Sequence, residues 1–325
     1  MFPFTFTKAV DEKSALAAGR SGARYIAGGT TLVDLMRVTV ERPGAVVDIN
    51  ALPYRNVDLD DHALRIGSLV RMADLAADQR VRRQFPVIAE ALELSASAQL
   101  RNMASIGGNL MQRPRCLYFR DVSANCNRRA PGTGCSALGG LNRTHAILGA
   151  SDQCVATHPS DLAVALVALD AVVVTRDTNG DRQIPLGEFF RQPGATPDQE
   201  HDLRSGELIV GVEVPTGPAT ARSGYLKVRD RQSYEFALTS AAVALELSGG
   251  TVRTARVAVG GVATVPWRLP AVEGALVGRP VSPGLWDAAA ARAADGAKPL
   301  SDNGFKVELV RRVVARQLAT VAGLP

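Results

Sequence analysis

Four cysteines are the residues of this 325-residue sequence whose chemistry is easiest to assign. They are Cys116, Cys126, Cys135 and Cys154, with 9, 8 and 18 residues between successive members. Thiolates are soft ligands, and cysteines clustered in a large chain serve metal binding more often than disulfide bonding. No pair has the two-residue spacing of a typical metal hairpin, so the spacing alone leaves an iron–sulfur cluster, zinc and free thiols as alternatives.

The stretch that holds these cysteines differs in composition from the rest of the chain. Residues 113–157 are rich in glycine, asparagine and arginine and show little hydrophobic periodicity, which predicts a long functional loop. Its arginines could offset the negative charge of a metal–thiolate group, and they are Arg113, Arg115, Arg120, Arg128, Arg129 and Arg143.

Two glycine pairs have the local chemistry of a nucleotide site. Gly28-Gly29-Thr30-Thr31 lies where a predicted strand ends and a predicted helix begins, and glycines there allow backbone N–H groups to approach a phosphate. Ser105-Ile-Gly-Gly-Asn-Leu110 is predicted to form a second such turn. Because the third glycine of the dinucleotide-binding fingerprint is missing, plain tight turns are the alternative interpretation.

Hydrophobic periodicity predicts the elements that must position these motifs, in three parts. The parts are residues 1–52, residues 53–217 with an insertion at about 110–157, and residues 218–325 beyond a proline- and glycine-rich boundary. Helices are predicted at 8–20, 32–37, 71–79, 86–99, 162–169, 282–294 and 303–322. Strands are predicted at 23–27, 45–49, 63–67, 171–175, 208–214, 225–228, 239–247 and 252–259.

Composition and charge exclude several functions. The net charge of +5 is scattered along the chain, which argues against nucleic-acid binding, and 46% hydrophobic residues argue against disorder. No apolar run is long enough to cross a membrane and no export signal is evident, so we expect no membrane insertion. The four histidines form no recognisable catalytic set, and we predict no catalytic residue.

Three ordered motifs resemble the FAD-binding subunits of molybdenum hydroxylases of the xanthine dehydrogenase and aldehyde oxidoreductase family. They are Tyr25-Ile-Ala-Gly-Gly-Thr-Thr-Leu32, Ala104-Ser-Ile-Gly-Gly-Asn-Leu110 and Pro159-Ser-Asp-Leu-Ala-Val-Ala-Leu-Val-Ala-Leu-Asp170. Residues 206–215 and 225–229 extend the similarity over nearly the whole chain. The resemblance implies an α+β fold, with a two-part FAD-binding α/β domain (PCMH-type) followed by a C-terminal α+β domain of the CO dehydrogenase flavoprotein type.

The resemblance also implies a set of FAD-binding residues. It places the glycine loop around the pyrophosphate, Asp161 at a ribose or adenylate hydroxyl, Ile209 against the flavin region and Lys227 near the flavin ring. From local chemistry alone, Asp161 would be a helix cap and Lys227 a solvated strand residue. The implied residues are Ile26, Ala27, Gly28, Gly29, Thr30, Thr31, Leu32, Ser105, Gly108, Asn109, Asp161, Ile209 and Lys227.

Two departures from the simple family pattern stand out. Residues 95–99 lack the aromatic side chain that lies near the flavin in xanthine dehydrogenases of the family. The long insertion between Asn109 and Asp161 resembles the one in aldehyde oxidoreductases whose flavin subunit holds a [4Fe–4S] cluster. By that resemblance, Cys116, Cys126, Cys135 and Cys154 are its ligands.

The family implies partners as well as cofactors. A large subunit would bind molybdopterin, a small subunit would bind [2Fe–2S] clusters, and FAD would pass their electrons to an external acceptor from a heterotrimer. The complex would lie in the cytoplasm, or in the periplasm by co-export with a partner. The alternatives are a self-contained FAD oxidase and a zinc-stabilised nucleotide-binding module without catalysis.

Overall fold

The computed structural model describes residues 1–323, which begin with a small parallel sheet. Its strands are β1 (Thr5–Lys8), β2 (Arg24–Ile26) and β3 (Ala45–Asp48), in the order β1-β3-β2. Helix α1 (Glu12–Arg20) follows β1, and helix α2 (Leu32–Arg37) follows the glycine loop after β2. The helix predicted at 8–20 starts later than expected because Asp11 caps it, accepting a hydrogen bond from the backbone N–H of Ser14.

A five-stranded sheet forms the second layer, in the order β4-β5-β8-β6-β7 with all neighbours antiparallel. Its strands are β4 (Val57–Leu59), β5 (Ala63–Gly67), β6 (Val172–Asp177), β7 (Gly180–Pro185) and β8 (Leu208–Pro215). The helices of this part are α3 (Met72–Ala77), α4 (Gln79–Gln84), α5 (Pro86–Glu93), α6 (Ala98–Met103), α7 (Ile106–Leu110), α8 (Leu117–Arg120), α9 (Asp161–Ala168) and α10 (Leu186–Phe189).

A four-stranded antiparallel sheet, in the order β12-β11-β10-β9, forms the last part. Its strands are β9 (Ser223–Val228), β10 (Thr239–Ser248), β11 (Thr251–Gly260) and β12 (Trp267–Arg268). The helices are α11 (Pro270–Leu276), α12 (Pro283–Ala290), a 3-10 turn at Ala291–Ala294 and α13 (Phe305–Ala322).

Strand β10 is apolar from Ala241 to Leu245 because both of its faces are covered there. Ala241, Val243 and Leu245 belong to the hydrophobic core shared with α13, whereas Ala242 and Ala244 belong to the core shared with α9. Successive side chains of a strand point to opposite faces, so this alternation places the third sheet between the two helices. Helix α9 is buried along its whole length for the same reason.

Two predicted elements near the glycine motifs differ in the structure. The helix predicted at 86–99 is interrupted, because Ala96 adopts a left-handed backbone (φ 50°) and Ser97 caps the new helix α6. The turn predicted at 105–110 is instead the short helix α7, which Ser105 caps by accepting from the N–H of Gly108 at 3.2 Å. Gly107 is needed for packing, since a Cβ there would lie 2.9 Å from Cβ of Ser68.

The remaining architecture agrees with the prediction of a mixed α and β fold. Each of the three sheets is built from one continuous stretch of chain. Within residues 1–323 no helix combines the length and the apolar character required to span a membrane.

Candidate cofactor sites

A cavity of about 250 Å³ lies where the glycine loop, helix α7 and the start of β8 meet. We call it the loop cavity. Its lining includes all the predicted loop residues 26–32, together with Ser105, Gly108 and Ile209. Motifs that are widely separated in the sequence therefore face one space.

The two loop glycines are required by the local structure. A Cβ at Gly28 would overlap the backbone carbonyl of Met103. Gly29 has a left-handed backbone (φ 71°), and a Cβ there would lie 3.1 Å from the Val33 side chain. The loop consequently offers bare backbone to the cavity at these positions, which allows a ligand to approach closely.

Tyr25, in strand β2 just before the glycine loop, is hydrogen bonded to the segment that precedes β8. Its hydroxyl donates to the carbonyl of Gly206 at 2.7 Å, and burial raises the pKa of Tyr25 to about 12, so it remains a neutral donor. Beside it, buried Glu207 accepts from Arg182 at 2.7 Å. Residues Tyr25 and Gly206 were within the recognised motifs, but their pairing across 181 positions could not be inferred from either motif.

Several other residues line the loop cavity without having been predicted as site residues. The polar ones contribute charge or hydrogen-bonding groups on the wall that faces the insertion and the first sheet. They are Arg24, Glu41, Ser68, Arg113, His201 and Glu207.

Asp161 and Lys227 form a buried ion pair outside the lining of the loop cavity. Lys227 Nζ lies 2.7 Å from Asp161 Oδ2, and its side chain is only 1% exposed, so it is not a solvated strand residue. The hydroxyl of Tyr225 donates to Asp161 Oδ1 at 2.8 Å, and that of Ser95 to Oδ2 at 3.1 Å. The carboxylate is thus surrounded by donors.

Asn109 is joined to the start of α9 and also lies outside the lining of the loop cavity. Its Oδ1 accepts from the hydroxyl of Ser160 at 2.5 Å. Ser160, and not Asp161, caps α9 by accepting from the N–H of Ala163 at 2.9 Å. The helix cap is therefore Ser160, which leaves the Asp161 carboxylate to the ion pair.

The four cysteines line a second cavity, which is much smaller than the loop cavity. We call it the cysteine cavity. All four are free, and Cys116 Sγ lies 3.1 Å from Nε2 of His145. Although they share this cavity, the side chains of the described part of the chain form no group of three or more Cys, His, Asp or Glu with the spacing of metal ligands.

Backbone donors point at two of these sulfurs. Burial raises the pKa of Cys116 to about 11, and the N–H groups of Phe119 and Tyr118 act in the opposite direction by hydrogen bonding to its sulfur. Burial likewise raises the pKa of Cys135. Backbone N–H donors, which include those of Ala137, Val155 and Leu138, act in the opposite direction. Without a positive partner these thiols stay protonated, whereas a metal centre would deprotonate them.

Of the insertion arginines, Arg128 is the one whose guanidinium donates to a cysteine, at 3.6 Å from Cys154 Sγ. Burial disfavours the charged form of Arg128, but the neighbouring Cys154 and Glu200 side chains outweigh this effect and raise the pKa of Arg128. The other arginines bind carboxylates or carbonyl groups: Arg113 to Glu41 and Glu200, Arg115 and Arg120 to Asp34, Arg129 to Tyr118 and Phe119, and Arg143 to Asp230.

A third cavity, of about 500 Å³, shares lining residues with the other two. We call it the polar cavity. Arg113 lines both it and the loop cavity, and Arg128 lines both it and the cysteine cavity. The two candidate cofactor sites are thus neighbours across a space lined by charged side chains.

Comparison with known proteins defines the class to which this fold and these motifs belong. Residues 1–217 match the family described as the FAD binding domain in molybdopterin dehydrogenase, and residues 224–322 match the CO dehydrogenase flavoprotein C-terminal domain. The chain therefore belongs to the family of FAD-binding subunits of molybdopterin dehydrogenases.

Individual relatives are similar over their whole length. The chain is 46% identical over 323 residues to the aldehyde oxidoreductase FAD-binding subunit PaoB of Escherichia coli (strain K12), covering 98% of both chains. It is 26% identical over 331 residues to the glyceraldehyde dehydrogenase medium chain of Sulfolobus acidocaldarius, covering 99% of this chain and 100% of that one. The solved carbon monoxide dehydrogenase of Hydrogenophaga pseudoflava that lacks the Mo-pyranopterin moiety matches with a TM-score of 0.77 and 25% identity over 99% of both chains.

These matches confirm the predicted class and the predicted fold. The chain is an FAD-binding subunit of a molybdenum hydroxylase-type oxidoreductase, with mixed helix and sheet in its FAD-binding and C-terminal parts. The comparisons give no support to a self-contained FAD oxidase or to a zinc-stabilised module.

Proposed function

We propose that this chain carries electrons for a molybdenum-dependent aldehyde oxidoreductase and that the loop cavity holds its FAD. The observation that carries this proposal is the convergence of both glycine motifs and Ile209 on one cavity. The 46% identity to an aldehyde oxidoreductase subunit favours aldehydes as the substrate class of the complex. FAD, when bound, supplies a site that stores two electrons and releases them to an acceptor.

Each predicted residue has a proposed part in holding the cofactor. Loop residues 26–32 would contact the pyrophosphate with backbone groups, Ser105 and Gly108 would lie beside it, and Ile209 would pack against an apolar part of the cofactor. Asp161 and Asn109 would bind polar groups where the cofactor extends beyond the loop cavity. Lys227 would place a positive charge near the reduced isoalloxazine, where it stabilises negative charge.

Replacement of Gly29 by valine tests the loop cavity. The new side chain would clash with Val33 and occupy space beside the loop, so we expect the purified variant to lose most of its bound FAD. Gly22 is the matched control, because it has a similar left-handed backbone (φ 88°) but no atom within 4 Å of a built Cβ and no place in the cavity lining. Flavin absorbance per polypeptide measures the result, and equal flavin in Gly29→Val and Gly22→Val would refute the assignment.

We also propose that Cys116, Cys126, Cys135 and Cys154 hold one [4Fe–4S] cluster. Three features support the fit: the four thiols share one cavity, backbone N–H groups point at two of the sulfurs, and the Arg128 guanidinium lies beside a third. Hydrogen bonds to sulfur and nearby positive charge are the means by which proteins stabilise such clusters.

Single cysteine-to-serine variants test the ligand set. Because a hydroxyl is a poor ligand for iron, we expect each of the four variants, purified anaerobically, to lose the cluster iron while retaining FAD. Iron analysis and electron paramagnetic resonance of the reduced protein measure the loss. One equivalent of zinc without iron in the unaltered chain would show that the site is a zinc site.

The complex we propose has two further subunits. A large subunit binds molybdopterin and hydroxylates the substrate, and a small subunit with [2Fe–2S] clusters delivers electrons singly to this chain, in a heterotrimer that reduces an external acceptor. Within the chain we propose three units, residues 1–52, 53–217 and 218–325, with the iron–sulfur insertion in the second.

A further inference from the structure

A continuous row of charged side chains connects the loop cavity to the cysteine cavity. Arg113 donates to Glu41 at 2.7 Å on the side of the loop cavity. It also donates to Glu200 Oε1 through two nitrogens, at 2.8 and 2.6 Å. The other carboxylate oxygen of Glu200 lies 3.5 Å from Arg128, which in turn donates to Cys154 Sγ.

This row is largely shielded from water. The side chains of Arg128 and Glu200 are 5% and 15% exposed, and those of Glu41 and Arg113 are 10% and 21% exposed. Charges in such surroundings interact more strongly than surface charges, because little solvent screens them. Two positive and two negative side chains therefore alternate between the two candidate cofactor sites.

We propose that Arg128 sets the reduction potential of the cysteine-bound cluster and that Glu200 couples this potential to that of the flavin. The inference rests on the proposed cofactor sites. A fixed positive charge beside a cluster thiolate stabilises the reduced, more negative state and raises the potential. The negative charge of Glu200 opposes the effect of Arg128 on the cluster, because the two side chains are in contact near the cysteines. Glu200 also contacts Arg113 at the wall of the loop cavity, where it opposes the effect of the Arg113 charge on the flavin.

The two charges predict shifts of opposite sign. Arg128→Gln removes the positive charge and should lower the cluster potential, whereas Glu200→Gln removes a negative charge and should raise it. Glu200→Gln should also raise the flavin potential, because Arg113 at the wall of the loop cavity then loses one of its two carboxylate partners and keeps Glu41. Arg128→Lys keeps the positive charge, so its cluster potential should stay close to that of the unaltered protein.

Redox titration of the full-length chain with its cofactors bound measures these shifts, by electron paramagnetic resonance for the cluster and by visible absorbance for the flavin. We expect each glutamine variant to change the ratio of reduced to oxidised cluster at a fixed potential by tenfold or more, or about 59 mV for a one-electron couple. Arg143→Gln is the control: it removes one positive charge from the same insertion, but Arg143 is exposed and pairs with Asp230 at the surface.

The outcomes separate the possible failures. Opposite shifts in Arg128→Gln and Glu200→Gln, with little change in Arg128→Lys and Arg143→Gln, would establish the inference. Full iron content with unmoved potentials in both glutamine variants would overturn it while leaving the cluster assignment intact. Absence of iron from the unaltered chain would overturn the cluster assignment and the inference together. If Arg128→Gln does not fold, the nearly isosteric Glu200→Gln decides alone by the sign of its shift.

Discussion

At the scale of single residues, the pairing of Lys227 with Asp161 has an energetic consequence. Both side chains are buried, and the carboxylate is also bound by Tyr225 and Ser95. Removal of a charge from water is costly, and the partner charge offsets that cost only while both are present. Loss of one partner should therefore be more harmful than loss of both.

Lys227→Met tests this expectation. The variant leaves the Asp161 carboxylate buried without its counter-ion, so we expect the free energy of unfolding to fall by about 3–5 kcal/mol. The double variant Lys227→Met with Asp161→Asn should recover part of this loss. Urea denaturation measures both, and a loss in Lys227→Met no larger than the ~1 kcal/mol typical of surface pairs would contradict the argument.

Sequence could suggest the importance of Asp161 and Lys227 but not their contact. Each lies in a motif that is recognisable locally, yet they are 66 positions apart and meet only because α9 packs against the third sheet. The same limit applies to Arg113 and Glu200, which are 87 positions apart. Charged residues of a loop can be counted from the sequence, whereas the identity of their partners depends on the completed fold.

At the scale of elements, the cysteine insertion is held from two sides. On one side it meets α2, where Asp34 pairs with Arg115 and Arg120 and Leu35 packs against Phe119. On the other it meets the start of α13. There, buried Lys306 donates to the carbonyls of residues 144 and 145 at 2.9 and 3.0 Å and to that of residue 261 at 2.7 Å.

Lys306→Met should loosen the insertion. Methionine fills similar space but removes the ammonium donor from these carbonyls, of which that of residue 145 keeps a second donor in Asn303, and an unsatisfied buried polar group costs about 1–3 kcal/mol. We expect faster hydrogen exchange across residues 142–146 and a lower free energy of unfolding. Lys298→Met is the control because Lys298 is exposed. Equal exchange in the two variants would mean that Lys306 does not hold the insertion.

Helices and strands were predicted well where the hydrophobic pattern extends over many residues. They were predicted poorly where tertiary packing determines the backbone conformation. Strands β10 and β11 lie close to their predicted bounds. Helix α7 was predicted as a turn because its two glycines disfavour a helix, but Gly107 is there to pack against Ser68. The anchoring of the insertion by α13 had no local signal, because Lys306 resembles any lysine of an amphipathic helix.

At the scale of the whole molecule, the described chain leaves apolar side chains uncovered at its first strand. Phe2 and Phe6 are 50% and 52% exposed, and all residues of β1 are exposed. Apolar surface of this kind often marks contact with another protein. A subunit that works only within a complex would expose such surface when it is isolated.

We therefore expect the chain, when co-expressed with candidate large and small subunits, to purify with them in one complex. Size-exclusion chromatography with molybdenum and iron analysis of the same fractions measures the result. Molybdenum should co-elute with FAD, and iron should exceed the amount bound by this chain alone. Elution of the chain as a monomer free of molybdenum would argue against the proposed assembly.

The confinement of every cysteine to the insertion gives the chain an internal reporter. Any reagent that alkylates sulfhydryl groups can modify this protein only between residues 116 and 154. The number of labelled positions in a mass spectrum then counts how many sulfurs are both unligated and accessible to the reagent, and the rate of labelling follows the opening of that one segment. Assembly, damage by oxygen and repair of the site can thus be followed in a mixture, without isolating the protein and without an added label.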